Sequence, residues 1–326
     1  MPNKIPVLVI FGPTASGKTG ILHELFNSPK RAVCGEKKAE IVSADSMQVY
    51  RGMDIGTAKP SPQERALLPH HLIDIRDPSQ QFNAGDFVRL AEEACLQIAD
   101  RGCLPVVSGG TGFYLKNLIL GLSEAPPSDA QIRGQLKLDL QEKGAVSLMK
   151  ELAACDPVSA GRIHINDEYR LLRALEVYRL SGKALSAYEA NPMRSNEEKR
   201  FRFITIGLSR PRDELYSRIN RRCEAMFSQG LAEEVRALYE AGYTPNDPGL
   251  RAIGYREFFI EDIENPGAWN LSRDIEGVKN LVAQNSRRYA KRQIVFFAGI
   301  PDVKWMECAE EKETAERIKR ELDISA

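Results

Sequence analysis

The chain has 326 residues, 45 of them Lys or Arg and 45 Asp or Glu, so its formal net charge is zero. A balanced charge excludes a polyanion-binding surface spread over the whole molecule; any such site must be a local patch. The length suits one large domain or two, with enough sequence for a buried core. Six cysteines (34, 95, 103, 155, 223 and 308) are scattered with no C-x-x-C pair, which argues against a disulfide framework or a zinc knuckle and fits a reducing cytosol. No run reads as a membrane span, and the N-terminal apolar run is too short for a signal segment. A soluble, cytoplasmic monomer is expected.

Residues 7–11 form an apolar run that predicts a buried strand, and residues 20–26 are compatible with a helix. Between them stands Gly12-Pro13-Thr14-Ala15-Ser16-Gly17-Lys18-Thr19. This matches G-x-x-x-x-G-K-[ST] in the strand–loop–helix context that gives the motif meaning. Gly12 and Gly17 let the backbone curl so that successive N–H groups face one anion at the positive end of a helix. Lys18 adds a mobile positive charge, and the Thr19 hydroxyl can join a Mg²⁺ shell. The loop predicts di- or triphosphate binding without deciding between phosphorus and carbon chemistry.

Residues 27–38 read as a surface loop. A second strand at 40–44 delivers Asp45 at its carboxyl end, where ligands sit in open α/β sheets. On this pattern alone Asp45 is equally an N-cap. Residues 53–69, rich in Gly, Pro and Lys, read as irregular and mobile. Residues 70–75 are a third strand candidate. The paired histidines at its start lack a second ligand cluster, so a structural role is favoured over a metal site. A helical period runs from 82 to 101 and stops at Gly102. Residues 103–108 then form a buried strand that ends at Gly109-Gly110-Thr111-Gly112, glycines that serve either a ligand's approach or a tight turn.

Pro126-Pro127 marks a boundary. Beyond it, 129–143, 144–155 and 168–181 read as helices with no strand between them. Residues 202–208 return to strand, and charged helices follow at 212–230 and 231–241. Residues 273–292 carry Arg273, Lys279, Arg287, Arg288, Lys291 and Arg292 against Asp274 and Glu276. The predicted fold is α/β, a P-loop NTPase-like parallel sheet flanked by helices. Residues 1–123 and 201–326 form its core, around a mostly helical insertion at 124–200.

Several of these stretches together resemble the tRNA dimethylallyltransferase family, isopentenyl transferases that modify an adenosine beside a tRNA anticodon. They are 12–19, 43–50, 53–60, 109–114, 170–176, 251–257 and 289–293, in family order, covering the chain from Val7 to about Phe297. The phosphate loop alone is unspecific; Asp45-Ser46-Met47-Gln48, the Gly-Gly-Thr element and Lys291-Arg292-Gln293 in one chain are specific. The lack of a C-terminal Cys/His finger points to the shorter bacterial form.

The resemblance implies a mechanism. Residues 12–19 would cradle the diphosphate of dimethylallyl diphosphate, and Lys18, loop amides and Mg²⁺ near Thr19 would stabilise the departing charge. Asp45 would be the general base for the adenine amine. Thr111 would contact the target nucleotide. Arg222 would reach the diphosphate, with Arg218 the second candidate and an exposed helix face the bland alternative for both. The tRNA-contacting positions implied are Asp45, Ser46, Met47, Gln48 and Thr111, then Arg133, Tyr169, Arg170, Leu171, Leu172 and Arg173 in the insertion. Arg251, Ala252, Ile253, Gly254, Tyr255 and Arg256 complete the set with Lys291 and Arg292. Over 169–173 an amphipathic helix would bury the leucines and leave only the arginines for RNA. The adenine must leave its stack to reach such a site. The partners implied are the tRNA anticodon loop and dimethylallyl diphosphate, with no membrane. Three rivals share parts of this pattern: a P-loop small-molecule or nucleotide kinase, a prenyltransferase of free adenine nucleotides, and a non-catalytic nucleotide-regulated RNA-binding protein.

Overall fold

A computed structural model describes residues 4–26, 38–189 and 200–325. The surface loop expected at 27–38 lies almost wholly outside them. The backbone divides into two compact units, one of residues 1–119 with 200–326 and the other of residues 120–199.

The first unit opens with β1 (Ile5–Phe11), α1 (Lys18–Phe26), β2 (Ala39–Ser43), α2 (Pro62–Leu67), β3 (His70–His71), α3 (Ala84–Asp100), β4 (Leu104–Gly109) and α4 (Gly112–Leu120). β3 stops after two residues because Leu72 and Asp74 adopt φ of 63° and 58°, outside the extended region. The stretch at 53–69 is not the mobile segment its composition suggested. Ser61 caps α2 through a reciprocal box with Glu64, and Pro62 opens the helix where its missing N–H costs nothing. Lys59 Nζ donates to the Tyr50 carbonyl and to the carboxylates of Asp54 and Asp74.

The second unit holds α5 (Ala130–Cys155), α6 (Pro157–Ala160), α7 (Glu168–Ser181) and α8 (Leu185–Glu189). Gly144 breaks α5 with φ 73° and ψ 162°, at the junction between the two helices read from sequence. Leu136, Leu148, Leu152, Leu171, Leu172 and Leu175 form this unit's core. Asp156 ties its corner together: its carboxylate accepts from the backbone and hydroxyl of both Ser159 and Ser186. Burial pushes that carboxyl up, but the four hydrogen bonds outweigh it and bring it down to about 2.

The chain re-enters the first unit with β5 (Phe201–Ser209), α9 (Arg212–Ser228), α10 (Leu231–Glu240), a hairpin of β6 (Phe259–Glu261) and β7 (Trp269–Leu271), α11 (Ile275–Phe297), β8 (Lys304–Glu307) and α12 (Glu311–Ser325). Six strands form one parallel sheet in the order β3-β2-β4-β1-β5-β8. The central strands are apolar throughout because both faces are covered. Leu8 and Ile10 point to a core shared with α1 and α12, and Phe11, on the opposite face, meets Phe297 of α11 at 4.8 Å between ring centres. The connection leaving β1 runs toward β2 while that leaving β4 runs toward β5. A crevice therefore opens between the carboxyl ends of β1 and β4, the place where such sheets bind ligands.

Candidate active site

Between the end of β1 and the start of α1, the Ser16 N–H turns back to the Pro13 carbonyl at 3.2 Å. Ala15 and Gly17 take φ of 63° and 100°. Left-handed residues alternating with ordinary ones gather backbone N–H groups into a concavity suited to an anion. Lys18 Nζ folds over the loop and donates to the carbonyls of Gly12 at 2.9 Å and Pro13 at 3.0 Å. Burial, and after it the neighbouring Arg222, bring its pKa down to about 8 against the opposing pull of Asp45. Three more cations hold the loop from outside. Arg210 Nε donates to the Ser16 carbonyl at 2.9 Å, Arg218 Nε to that of Ala15 at 2.9 Å, and Arg222 Nη1 to Thr14 Oγ1 at 3.2 Å. Arg218 and Arg222 stand four residues apart on α9, on one helix face. The exposed-face alternative for these arginines therefore fails: both touch the phosphate loop.

Asp45 follows β2. Its Oδ1 accepts from Met47 N at 2.9 Å and Gln48 N at 3.3 Å. The turn-holding and catalytic readings are thus compatible: two amides fix one oxygen, and the residue lines the cavity at the crevice. Thr111 Oγ1 accepts from Ser46 N at 2.9 Å and donates to Ser46 Oγ at 3.3 Å, so its hydroxyl holds this same turn. Gly109 is needed where β4 ends: a Cβ there would lie 2.1 Å from the Ala44 carbonyl oxygen. Gln48 Oε1 accepts from Ser43 Oγ, and its amide donates to the Thr57 and Ala58 carbonyls.

Three positions that sequence reasoning left without a role complete the frame. Gln293, buried on α11, accepts from Thr14 N at 2.8 Å and donates to the Gly110 carbonyl at 2.7 Å, clamping the phosphate loop to the β4 loop. Tyr289, one turn earlier, reaches the same carbonyl at 3.4 Å; burial and Asp45 raise its hydroxyl to about 12, so it stays a neutral donor. Their four-residue spacing in the 289–293 stretch was the available signal, obscured by the cations between them. Glu234 of α10 accepts from the backbone N–H groups of Asp54, Ile55 and Gly56 and from the Tyr255 hydroxyl at 2.6 Å.

One cavity of about 550 Å³ joins these elements, lined on one side by Thr14, Lys18 and Arg222 and on the other by Asp45, Gln48 and Tyr289. Ser46 and Met47 line it as well, and Arg251, Ala252, Ile253, Gly254 and Arg292 extend its wall. Other positions of the expected RNA set lie differently. Tyr255 is fully buried, so its side chain supports the wall and cannot meet RNA. Arg256 lies over the Trp269 ring at 4.4 Å, and Lys291 is exposed on α11.

In the helical unit, Leu171 and Leu172 are core residues, which removes their side chains from the RNA set. Arg133 and Arg173 are not free cations: both pair with the fully buried carboxylate of Glu176, at 3.3 and 2.8 Å. Arg133 also covers the ring of Tyr169, itself 73% exposed. Arg170, largely exposed, pairs with Asp167.

Comparison with known proteins gives a consistent family. Residues 48–299 match the family model described as IPP transferase. The tRNA dimethylallyltransferase of Geobacter sulfurreducens is 43% identical, over 94% of this chain and 93% of its own. The tRNA dimethylallyltransferase 1 of Pelobacter propionicus is 42% identical, over 93% of each chain. The crystal structure of the tRNA isopentenylpyrophosphate transferase of Bacillus halodurans superposes with a TM-score of 0.66 at 34% identity, covering 98% of this chain and 96% of that one. A eukaryotic dimethylallyltransferase, solved in crystallographic snapshots acting on tRNA, gives a TM-score of 0.73 at 27% identity over 98% and 78% of the two chains.

Proposed function

The chain belongs to the IPP transferase family, and from that premise we propose that it moves the dimethylallyl group of dimethylallyl diphosphate onto the N6 amine of adenosine 37 in tRNA, releasing diphosphate. The observation that carries this reading is the single cavity in which a cationic phosphate loop faces a carboxylate held by one oxygen. The loop amides, Lys18 and Arg222 receive the donor's diphosphate and stabilise the charge that grows on it as the carbon–oxygen bond breaks. Asp45 Oδ2 takes the proton that the adenine amine loses as it attacks. Thr111 and Gln293 keep the base and the cradle in register, which is where positioning contributes to rate. The wall at 251–254 and the exposed cations Lys291 and Arg292 receive the splayed anticodon loop and its phosphates.

Among the described residues no group of three or more His, Cys, Asp or Glu could hold a metal. Thr19 is exposed at the head of α1, which fits a Mg²⁺ ion bound by its hydroxyl, diphosphate oxygens and water, the sparse protein shell this cation tolerates. When bound, the ion supplies further charge neutralisation of the diphosphate. No helix among the described residues is long and apolar enough to cross a membrane, and the reading places the protein with its tRNA in the cytoplasm.

Incubating the protein with unmodified tRNA and labelled dimethylallyl diphosphate, followed by nucleoside mass analysis, tests the reading. The expected product is N6-dimethylallyl-adenosine with release of diphosphate. Labelling of free adenine nucleotides in place of tRNA, or phosphate transfer from ATP, would overturn it.

A further inference from the structure

Tyr289 brings a hydroxyl to the Asp45 end of the cavity and leaves its proton poorly used. The oxygen stands 3.4 Å from the Gly110 carbonyl, well beyond the roughly 2.7–2.8 Å usual for an O–H···O bond. That carbonyl already accepts from Gln293 Nε2 at 2.7 Å. Burial first, and the charge of Asp45 second, keep the hydroxyl protonated at neutral pH. A partly buried donor without a good partner costs free energy until something accepts from it. The β4 loop sets this donor beside Asp45. The Thr111 N–H donates to the Ala44 carbonyl at 3.1 Å, and Thr111 Oγ1 accepts from Ser46 N at 2.9 Å. Thr111 therefore grips the residues on both sides of Asp45, and Gly110 is its immediate neighbour. Arg292 lies over the Tyr289 ring at 5.8 Å, and Asp45, Gly110 and Tyr289 all line the one cavity.

Resting on the adenosine reading above, we propose that Tyr289 is a further substrate-contacting residue, whose hydroxyl donates to the ring nitrogen beside the attacked amine of the target adenine. An adenine edge presents an amino donor next to an unprotonated ring nitrogen that accepts. Asp45 accepts from the first, and Tyr289 donates to the second. A base extruded from its stack is read by hydrogen bonds of this kind. Two contacts on one edge fix the plane of the base, so losing the hydroxyl falls on the RNA and not on the prenyl donor.

Adenine has two such nitrogens, N1 and N7, and the test tells them apart. Anticodon stem-loop RNAs with adenosine, 1-deazaadenosine or 7-deazaadenosine at the target position are prenylated by the parent protein and by Tyr289→Phe, which keeps the ring under Arg292. With adenosine, Tyr289→Phe should lower kcat/KM for the RNA by about fivefold, the worth of one neutral hydrogen bond, with the donor KM unchanged. For one of the two deaza RNAs, the penalty relative to adenosine should be about fivefold smaller in Tyr289→Phe than in the parent. This cycle cancels any change in the base's own reactivity and names the nitrogen that is met. Equal penalties in the two proteins for both RNAs would overturn the proposal. So would a Tyr289→Phe variant that matches the parent on adenosine, or one whose donor KM rises in step with that for RNA, the mark of a merely structural role. Failure of the parent protein to prenylate the adenosine RNA is a different result: it would sink the adenosine reading itself.

Discussion

Asp45 is held by two amides through one oxygen, so replacing it tests chemistry with little effect on geometry. Asp45→Asn keeps an acceptor for both amides but cannot take the amine proton. Turnover should fall by about 10²–10⁴ while donor and tRNA binding persist, measured as kcat against both KM values; near-parent kcat would remove Asp45 from the role of base. Lys18 carries a pH signature. Its folded pKa of about 8 lies below the ordinary 10.5, because burial and Arg222 penalise its charge. The charged form binds diphosphate, so donor affinity should be full below pH 8 and weaken about tenfold per unit above it. The stability of the empty protein should move the opposite way. Between pH 8 and 10.5 the unfolded chain binds the extra proton, and stability should rise across that window. Calorimetric titration of diphosphate and thermal melts over the same pH series check both signs. The phosphate-loop lysine was legible in the sequence, because strand, glycines and helix are contiguous. Its lowered pKa was not, because the burial that causes most of it, and Arg222 reaching the loop from α9, arise only in the folded chain.

At the scale of elements, the stretch at 53–60 shows why composition misled. Gly, Pro and Lys suggest mobility, yet Glu234 fills the nest made by the N–H groups of residues 54–56 and simultaneously takes the Tyr255 hydroxyl. One carboxylate thereby joins two walls of the cavity. Glu234→Gln presents an amide N–H₂ to some of those donors, at a cost of about 1–3 kcal/mol for the groups left unpaired. The KM for tRNA should rise about tenfold with the donor KM unchanged, a split that steady-state kinetics resolves. An equal rise in both would show a general loss of structure. Elements with their own periodicity were legible, including the break at Gly144 and the strands β1, β2, β4 and β5. β8 was not: of its four residues only Met306 is buried, so this edge strand carries no apolar pattern to read. The leucines of α7 were visible as a packing stripe, and they proved to be core, not RNA contacts.

For the whole molecule, zero net charge makes any RNA affinity a matter of placement. Several arginines that look available are committed: Arg133 and Arg173 neutralise Glu176, and Arg287 donates to Asn220. Lys291 and Arg292 stand exposed, and Arg292 borders the cavity. Replacing both with Ala should lower the log–log salt slope of tRNA binding by about two and leave donor binding intact; identical lines for parent and variant would sink the RNA-patch reading. What no local reading could supply was the convergence itself. Thr14 and Gln293 meet across 279 positions, and Glu311 lies against Gly20 beside a loop that begins at Gly12. That separation has a consequence during synthesis. β1 is finished once Phe11 has been made, but its neighbours in the sheet are Leu104–Gly109 and Phe201–Ser209. Until the ribosome has passed Ser209, the nascent chain carries the whole phosphate-loop motif on a strand with an unpaired apolar edge, the kind of surface chaperones cover. A product cut short before then would hold the signature sequence and no cradle. Premature stops anywhere in the first two-thirds of the message should yield inert, aggregation-prone protein with no residual activity.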